Sequence, residues 1–176
     1  MIYSASRRTD LVAFFPDAIV QKVRRSRKLE AIVFWTKDPR PLAEHPDLRA
    51  VLETVPAVVQ LTVTGLAGTF WEPRVPDPAC QTDALTDLAA RLPAGAIVWR
   101  FDPILHTPDL FDRFDRIHAL LRSALGPLAE ATISFPDTYR KVVRRLARDG
   151  RHLPCPAPSE QRRITSALQA RSGLTL

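Results

Sequence analysis

The chain alternates between short apolar runs and segments with helical periodicity, and this alternation limits its fold more than any other feature. Each run is rich in β-branched or aromatic residues, as buried parallel strands are. The runs are Met1–Ser4, Ala31–Trp35, Ala57–Val63, Ala96–Phe101 and Ala131–Phe135. Strand then helix, repeated about five times, predicts parallel strands joined by right-handed crossovers. Two architectures satisfy the pattern: an open doubly wound sheet and a closed or partial barrel.

The segments between these runs carry apolar residues at helical spacing. Phe15, Ile19 and Val23 are spaced four apart, and Pro16 suits a first helical turn. Ser159 is a candidate N-cap for the last helix. The other apolar stripes are Leu48–Val55, Leu85–Leu92, Leu110–Leu125, Tyr139–Leu146 and Ile164–Leu168. Together the stripes predict helices that pack on the outside of the sheet.

The last four residues, Gly173-Leu174-Thr175-Leu176, predict a turn that leads into a sixth strand, where the sequence stops. No internal linker is visible between the repeats. We therefore predict a single (βα)-repeat domain over residues 1–176, truncated before or at its sixth strand.

Composition narrows the classes of partner. The 176 residues contain no apolar run long enough for a membrane span and no signal-peptide pattern, so we expect a cytoplasmic protein without a membrane segment. A net charge of +6 raises nucleic acid as a partner. However, the basic segments Lys22–Lys28 and Arg140–Arg151 fall on outer helices, where a solvated face is the favoured interpretation.

Polar residues follow each predicted strand, where the carboxyl ends of parallel strands form the binding sites of βα folds. Arginine and lysine at several strand ends suit a carboxylate or phosphate ligand, and the acids could orient those cations or move a proton. The alternative is a ring of structural salt bridges that closes this end of the sheet. The candidate ligand-binding residues are Arg7, Arg8, Asp10, Lys37, Thr64, Arg100, Asp102, Asp137 and Arg140.

The run Trp99-Arg100-Phe101-Asp102 carries the most specific signal. Successive strand residues point to opposite faces, so Arg100 and Asp102 should share one face. Two charges inside an otherwise apolar strand are costly unless they are paired or face a cavity. The pattern therefore predicts that this face of the sheet lines a pocket.

Six ordered motifs resemble the domain-of-unknown-function family 1848 along nearly the whole chain. They are SASRRTD (Ser4–Asp10), VFWTKDP (Val33–Pro39), QLTVTG (Gln60–Gly65), EPRVPD (Glu72–Asp77), VWRFDPIL (Val98–Leu105) and SFPDTYRK (Ser134–Lys141). The resemblance implies a partial TIM-like barrel of about five to six parallel strands with outer helices. It also implies an iron–sulfur cluster and S-adenosylmethionine in full-length members, held as in radical S-adenosylmethionine enzymes.

Members of that family typically carry a C-terminal cysteine cluster similar to the iron–sulfur motif of radical S-adenosylmethionine enzymes, and this sequence lacks it. Cys155 is isolated and cannot replace three thiolate ligands, so we expect this chain alone to hold no cofactor and no metal. Two hypotheses follow. One is a scaffold similar to radical S-adenosylmethionine enzymes, with an anion-binding mouth at the carboxyl ends of the strands, whose activity would require a cysteine-bearing partner chain or the missing C-terminal region. The other is a non-catalytic module that binds an anionic ligand or nucleic acid. An unfinished barrel leaves an edge strand unpaired, so we expect self-association into a dimer, a capping helix or poor solubility.

Overall fold

One sheet of parallel strands organises the chain, which the computed structural model describes over residues 1–5 and 8–176. The strands are β1 Ile2–Ala5, β2 Ala31–Thr36, β3 Ala57–Thr62, β4 Ile97–Phe101 and β5 Ala131–Ile133. The helices are α1 Leu11–Phe14, α2 Pro16–Arg25, α3 Arg40–Glu44, α4 Pro46–Thr54, α5 Thr82–Arg91, α6 Leu110–Leu125, α7 Arg140–Arg148 and α8 Pro158–Ser172, with a 3₁₀ turn at Pro78–Gln81. All five predicted strands are present, each within two residues of its predicted bounds.

The strands are arranged in the sequential order β1-β2-β3-β4-β5, and every neighbouring pair is parallel. A doubly wound sheet reverses its strand order near the middle, whereas a barrel adds each strand beside the previous one. The sequential order is therefore the winding of a barrel, and the predicted α/β class with outer helices is confirmed. Within the described residues no ladder joins β1 to β5, so this sheet is open between them.

The two faces of the sheet differ in burial. On the covered face, Phe34, Leu61 and Trp99 are fully buried and belong to the core that the helices complete. On the open face, Trp35, Gln60 and Arg100 are only partly buried. The alternation follows directly from the two-residue period of a strand.

The helical predictions are largely confirmed, with two differences at the C-terminal end. Helix α8 begins at Pro158 after Ala157, and no side chain caps it, so the prediction of Ser159 as the N-cap was wrong. The apolar stripe of α7 is mostly exposed, because Leu146 is its one buried residue while Val142 and Val143 are 40% and 43% exposed. Helix α7 is therefore held to the rest of the protein by few apolar contacts.

The predicted turn into a sixth strand is also present. Gly173 ends α8 with a φ of 70°, and Thr175 then forms a parallel bridge with Glu130 beside β5. The Ala131 amide donates to the Thr175 carbonyl over 2.9 Å. In the part of the chain that the structure describes, no helix combines the length and apolar character needed to cross a bilayer.

Candidate functional site

An ion pair on the open face connects β4 to its neighbours. The Arg100 guanidinium is paired with the Asp102 carboxylate and donates to Gln60 Oε1 over 3.3 Å. The second Asp102 oxygen accepts a hydrogen bond from the Ser134 hydroxyl, just beyond β5. The two charged side chains are 13% and 22% exposed, so both are largely withdrawn from solvent. The predicted placement of Arg100 and Asp102 on one face is confirmed, and the two are paired.

An aromatic ring fixes the same arginine from the side of β2. The Arg100 guanidinium carbon lies 5.0 Å from the Trp35 ring centroid, and the indole N–H of Trp35 donates to the Ser4 hydroxyl over 3.0 Å. A cation–π contact of this kind is worth about 0.5–2 kcal/mol. The open face therefore carries a connected polar layer that reaches from β1 to the end of β5. Sequence reasoning omitted Ser4, Trp35 and Gln60 from the site, although the strand period places all three on this face.

A second ion pair lies at the ends of β2 and β3. Lys37 Nζ donates to Glu72 Oε1 over 2.6 Å, and the Thr64 hydroxyl donates to Glu72 Oε2 over 2.7 Å. Glu72 is 11% exposed and was not among the predicted site residues. Thr64 is buried, and its hydrogen bond fixes the orientation of the Glu72 carboxylate.

Asp10 has a local structural role. One of its carboxylate oxygens accepts from the Ala13 amide over 3.0 Å and caps α1. The other accepts from the Thr36 hydroxyl over 3.0 Å and from the Lys37 amide over 2.7 Å. Asp10 therefore joins the start of α1 to the end of β2, and its acceptor capacity is largely used by these contacts.

A buried arginine on α6 connects two of the loops at the carboxyl ends of the strands. Arg113 of α6 is 1% exposed, and its guanidinium donates to the Thr64 carbonyl over 2.9 Å and to the Leu105 carbonyl over 3.3 Å. It thereby joins the loop after β3 to the loop after β4. Burial lowers the pKa of Arg113, and the nearby Asp109 carboxylate opposes that change. No motif of the sequence pointed to this residue.

Two adjoining cavities occupy this end of the sheet. The first, which we name the mouth cavity, has a volume of about 280 Å³. It is lined by Arg8, Thr9, Asp10, Trp35, Thr36, Lys37, Thr62, Arg100 and Asp102. The second, named the apolar chamber, has a volume of about 980 Å³ and is bounded by the loop after β3, the end of β4 and α7. Lys37 and Asp102 line both cavities, so the two spaces adjoin at these side chains.

The predicted site residues are thus divided among several places. Arg8, Asp10, Lys37, Arg100 and Asp102 line the mouth cavity. Asp137 lines the apolar chamber, while the exposed Arg140 lines neither of the two. Arg7 lies outside the described residues.

The described residues do not fit an iron–sulfur cluster, which takes several cysteine thiolates as ligands. Cys80 is exposed in the 3₁₀ turn, whereas the Cys155 thiol donates to the Pro136 carbonyl over 3.3 Å. Within the described ranges, no three histidine, cysteine or acidic side chains form a group that could hold a metal ion. A cluster and S-adenosylmethionine stay predictions that would need cysteine ligands from outside the 176 residues.

Sequential parallel strands with polar side chains at their carboxyl ends define an α/β protein of the barrel-wound class. Within that class, the chain belongs to the family described as Domain of unknown function (DUF1848), whose profile matches residues 16–173. The resemblance read from the six motifs is confirmed by this match. No curated protein and no solved structure matches the chain.

Proposed function

We propose that the mouth cavity binds a small anionic ligand that carries a phosphate or carboxylate group. The main support for this proposal is the position of Arg100. Its side chain is only 13% exposed, and it lines a cavity at the strand ends. A guanidinium has five N–H donors in a planar fork, which suits two-point contact with a carboxylate or phosphate. Asp102 and Gln60 accept hydrogen bonds from two of the Arg100 N–H groups, and the other N–H groups are available to a ligand.

The charge balance of the mouth cavity shapes this proposal. Arg8, Lys37 and Arg100 supply three cationic groups. Asp10, Asp102 and the neighbouring Glu72 supply three acidic ones. Among the described residues the cationic and acidic groups in and beside the cavity are therefore equal in number, so we expect binding to come from directed hydrogen bonds of fixed cations. Fixed donors lose little side-chain entropy when a ligand binds, which favours affinity.

The direct test compares two arginines in similar settings. Arg100→Gln should weaken binding of inorganic phosphate by about tenfold or more, because a charge-assisted hydrogen bond is lost. Arg171→Gln is the matched control, since Arg171 also pairs with a carboxylate, Asp115, and lies 5.5 Å from the centroid of an aromatic ring, Phe111. Isothermal titration with phosphate measures both variants, and circular dichroism checks that they fold. Equal affinities in the wild type and in Arg100→Gln would contradict the proposal.

A second candidate function, binding of nucleic acid, is supported by α7. Its five basic residues fall within an arc of about 140° at 100° per residue, and all are exposed. They are Arg140, Lys141, Arg144, Arg145 and Arg148. Among the residues that the structure describes, no ion pair joins these side chains to a carboxylate.

Binding of nucleic acid along α7 would depend steeply on salt and little on base sequence. Fluorescence anisotropy with a labelled DNA strand at several salt concentrations measures both properties. The double variant Arg144→Gln and Arg148→Gln should reduce the salt slope by about two. Absence of binding at low salt would exclude this function for α7.

A further inference from the structure

We infer that the ligand of the mouth cavity is an organic anion with an uncharged apolar or aromatic body, which the apolar chamber receives. This inference rests on the proposed anion binding and specifies the class of ligand. The two cavities share Lys37 and Asp102 as lining residues, so a group held near Arg100 has the chamber directly beside it. A ligand held only by its anionic group would leave this larger space unfilled.

The chamber is built for apolar contact. Its walls include Leu66, Phe70, Trp71, Leu105, Phe135 and Val142. Several wall residues keep large exposed fractions, with Phe70 at 45%, Val142 at 40% and Tyr139 at 66%. Apolar side chains exposed inside a concavity gain free energy when a ligand covers them, at about 25 cal/mol per Å². Ligand sites of proteins combine such walls with a few directed polar groups.

The charges around the chamber favour an uncharged body over a second anionic group. The basic side chains that line the chamber are Lys37, Arg74 and Arg145, and the acidic ones are Glu72, Asp102, Asp137 and Asp149. The acids outnumber the bases by four to three. The Arg151 guanidinium, 4.0 Å from the Phe70 ring centroid, adds a fourth base, so a second anionic group would meet no net attraction in this space.

The volumes of the two cavities agree with a ligand whose anionic end lies in the mouth cavity and whose body lies in the apolar chamber. An apolar cavity of about 150 Å³ accepts a benzene ring. The mouth cavity of about 280 Å³ is suited to a carboxylate or phosphate with part of its linker, while the chamber of about 980 Å³ has room for ring systems. The geometry thus places the anionic end at the open face and the body toward α7.

Three probes separate the contributions: inorganic phosphate, phenyl phosphate and benzyl alcohol. Phenyl phosphate should bind at least about tenfold more tightly than inorganic phosphate, because the ring buries apolar surface in the chamber. Benzyl alcohol should bind more weakly than phenyl phosphate, because it lacks the anionic end. If both phosphates bind equally well, the inference is overturned and the anion site stands. If neither binds, the proposed function fails as well.

Variants locate the ring. Phe70→Ala should remove the advantage of phenyl phosphate and leave the affinity for inorganic phosphate unchanged. Phe14→Ala is the control, since Phe14 is 61% exposed and lines neither cavity. Val142→Asn, on the α7 wall, repeats the test from another element and keeps it decisive if Phe70→Ala does not fold. A Phe70→Ala protein that still prefers phenyl phosphate by tenfold, together with an unaffected Val142→Asn protein, would overturn the inference.

Discussion

The two faces of the same sheet carry different kinds of side chain, apolar on the covered face and largely polar on the open face. On the covered face, Trp99 and Phe101 are 0% and 1% exposed and pack against Phe114 of α6. On the open face of the same strand, Arg100 lies in contact with a carboxylate, an amide and an indole ring. One strand thus contributes buried core side chains and polar side chains of the mouth cavity in strict alternation.

This difference predicts that substitutions on the two faces affect stability and ligand binding separately. Side chains of the covered face are surrounded by apolar atoms, so each lost contact costs transfer free energy and leaves a cavity. Side chains of the open face contact one another and a solvent-connected cavity, so their loss should mainly change binding.

Two tryptophans give the strongest test. Trp99→Ala should lower the free energy of unfolding by about 3–5 kcal/mol, because it empties a packed site and leaves the Val63 carbonyl without its indole donor. Trp35→Ala on the open face should cost only about 1–2 kcal/mol. Urea unfolding measures both losses. Equal losses would break the comparison, since they would mean that the open face is covered in solution.

Two glycines with the same backbone angle give the next test. Gly65 and Gly68 both have a φ of +71°, so alanine at either position pays the left-handed cost of about 1–2 kcal/mol. A Cβ at Gly65 would also lie 2.4 Å from Arg113 Cγ, whereas a Cβ at Gly68 meets nothing within 4 Å. Gly65→Ala should therefore cost about 2 kcal/mol more than Gly68→Ala, because it displaces a buried hydrogen-bonded guanidinium.

The same pair of variants tests whether Arg113 supports the site. Gly65→Ala should also weaken phosphate binding, because Arg113 joins the loops after β3 and β4 through the Thr64 and Leu105 carbonyls. Gly68→Ala should bind phosphate as the wild type does. If the two variants lose equal stability, Arg113 moves aside without cost and the support that we assign to it is wrong.

Much of this arrangement follows from local sequence. The strand period alone puts Arg100 and Asp102 on one face, and the strand–helix alternation predicts the parallel sheet and its outer helices. The strand order had to come from the structure, because apolar periodicity does not say which strands are neighbours.

The residues that were missed depend on contacts distant in sequence. Glu72 reaches Lys37 across 35 positions, and Arg113 reaches the Thr64 carbonyl across 49. Nothing within a helical or strand window indicates such a partner. Thr64 lies after a strand, as the sequence predicted, and its hydroxyl donates to Glu72, a contact that its position in the sequence does not reveal.

A third prediction concerns the ion pair of the open face. Asp102→Asn should lower the free energy of unfolding by about 1–2 kcal/mol, because it leaves the shielded Arg100 guanidinium without a carboxylate. The same change should raise the affinity for inorganic phosphate, roughly two- to tenfold, because an anion no longer competes with a carboxylate beside the donor.

Asp115→Asn is the matched control for this ion pair. It removes the partner of Arg171, where both side chains are more than 40% exposed, and should cost at most about 1 kcal/mol without changing phosphate affinity. Titration calorimetry and urea unfolding measure the two effects. A fall in phosphate affinity for Asp102→Asn would contradict competition and make Asp102 a residue that orients Arg100 for the ligand.

The smallest effect is a pH dependence from the covered side. His118 of α6 stacks on Trp99 with ring centroids 6.0 Å apart, and its buried Nε2 has no hydrogen-bond partner among the described residues. Burial lowers the pKa of His118, as does the charge of Arg122, while Asp115 opposes the change. The unfolded chain then binds the proton more readily, so this contribution to stability is fully present above about pH 6.5 and falls as the pH drops below it.

His118→Phe should flatten this decline in the urea midpoint between about pH 7.5 and 5. Identical pH profiles for the wild type and His118→Phe would mean that the ring gains a proton without cost, and that the covered face is more open to water at α6 than its packing indicates.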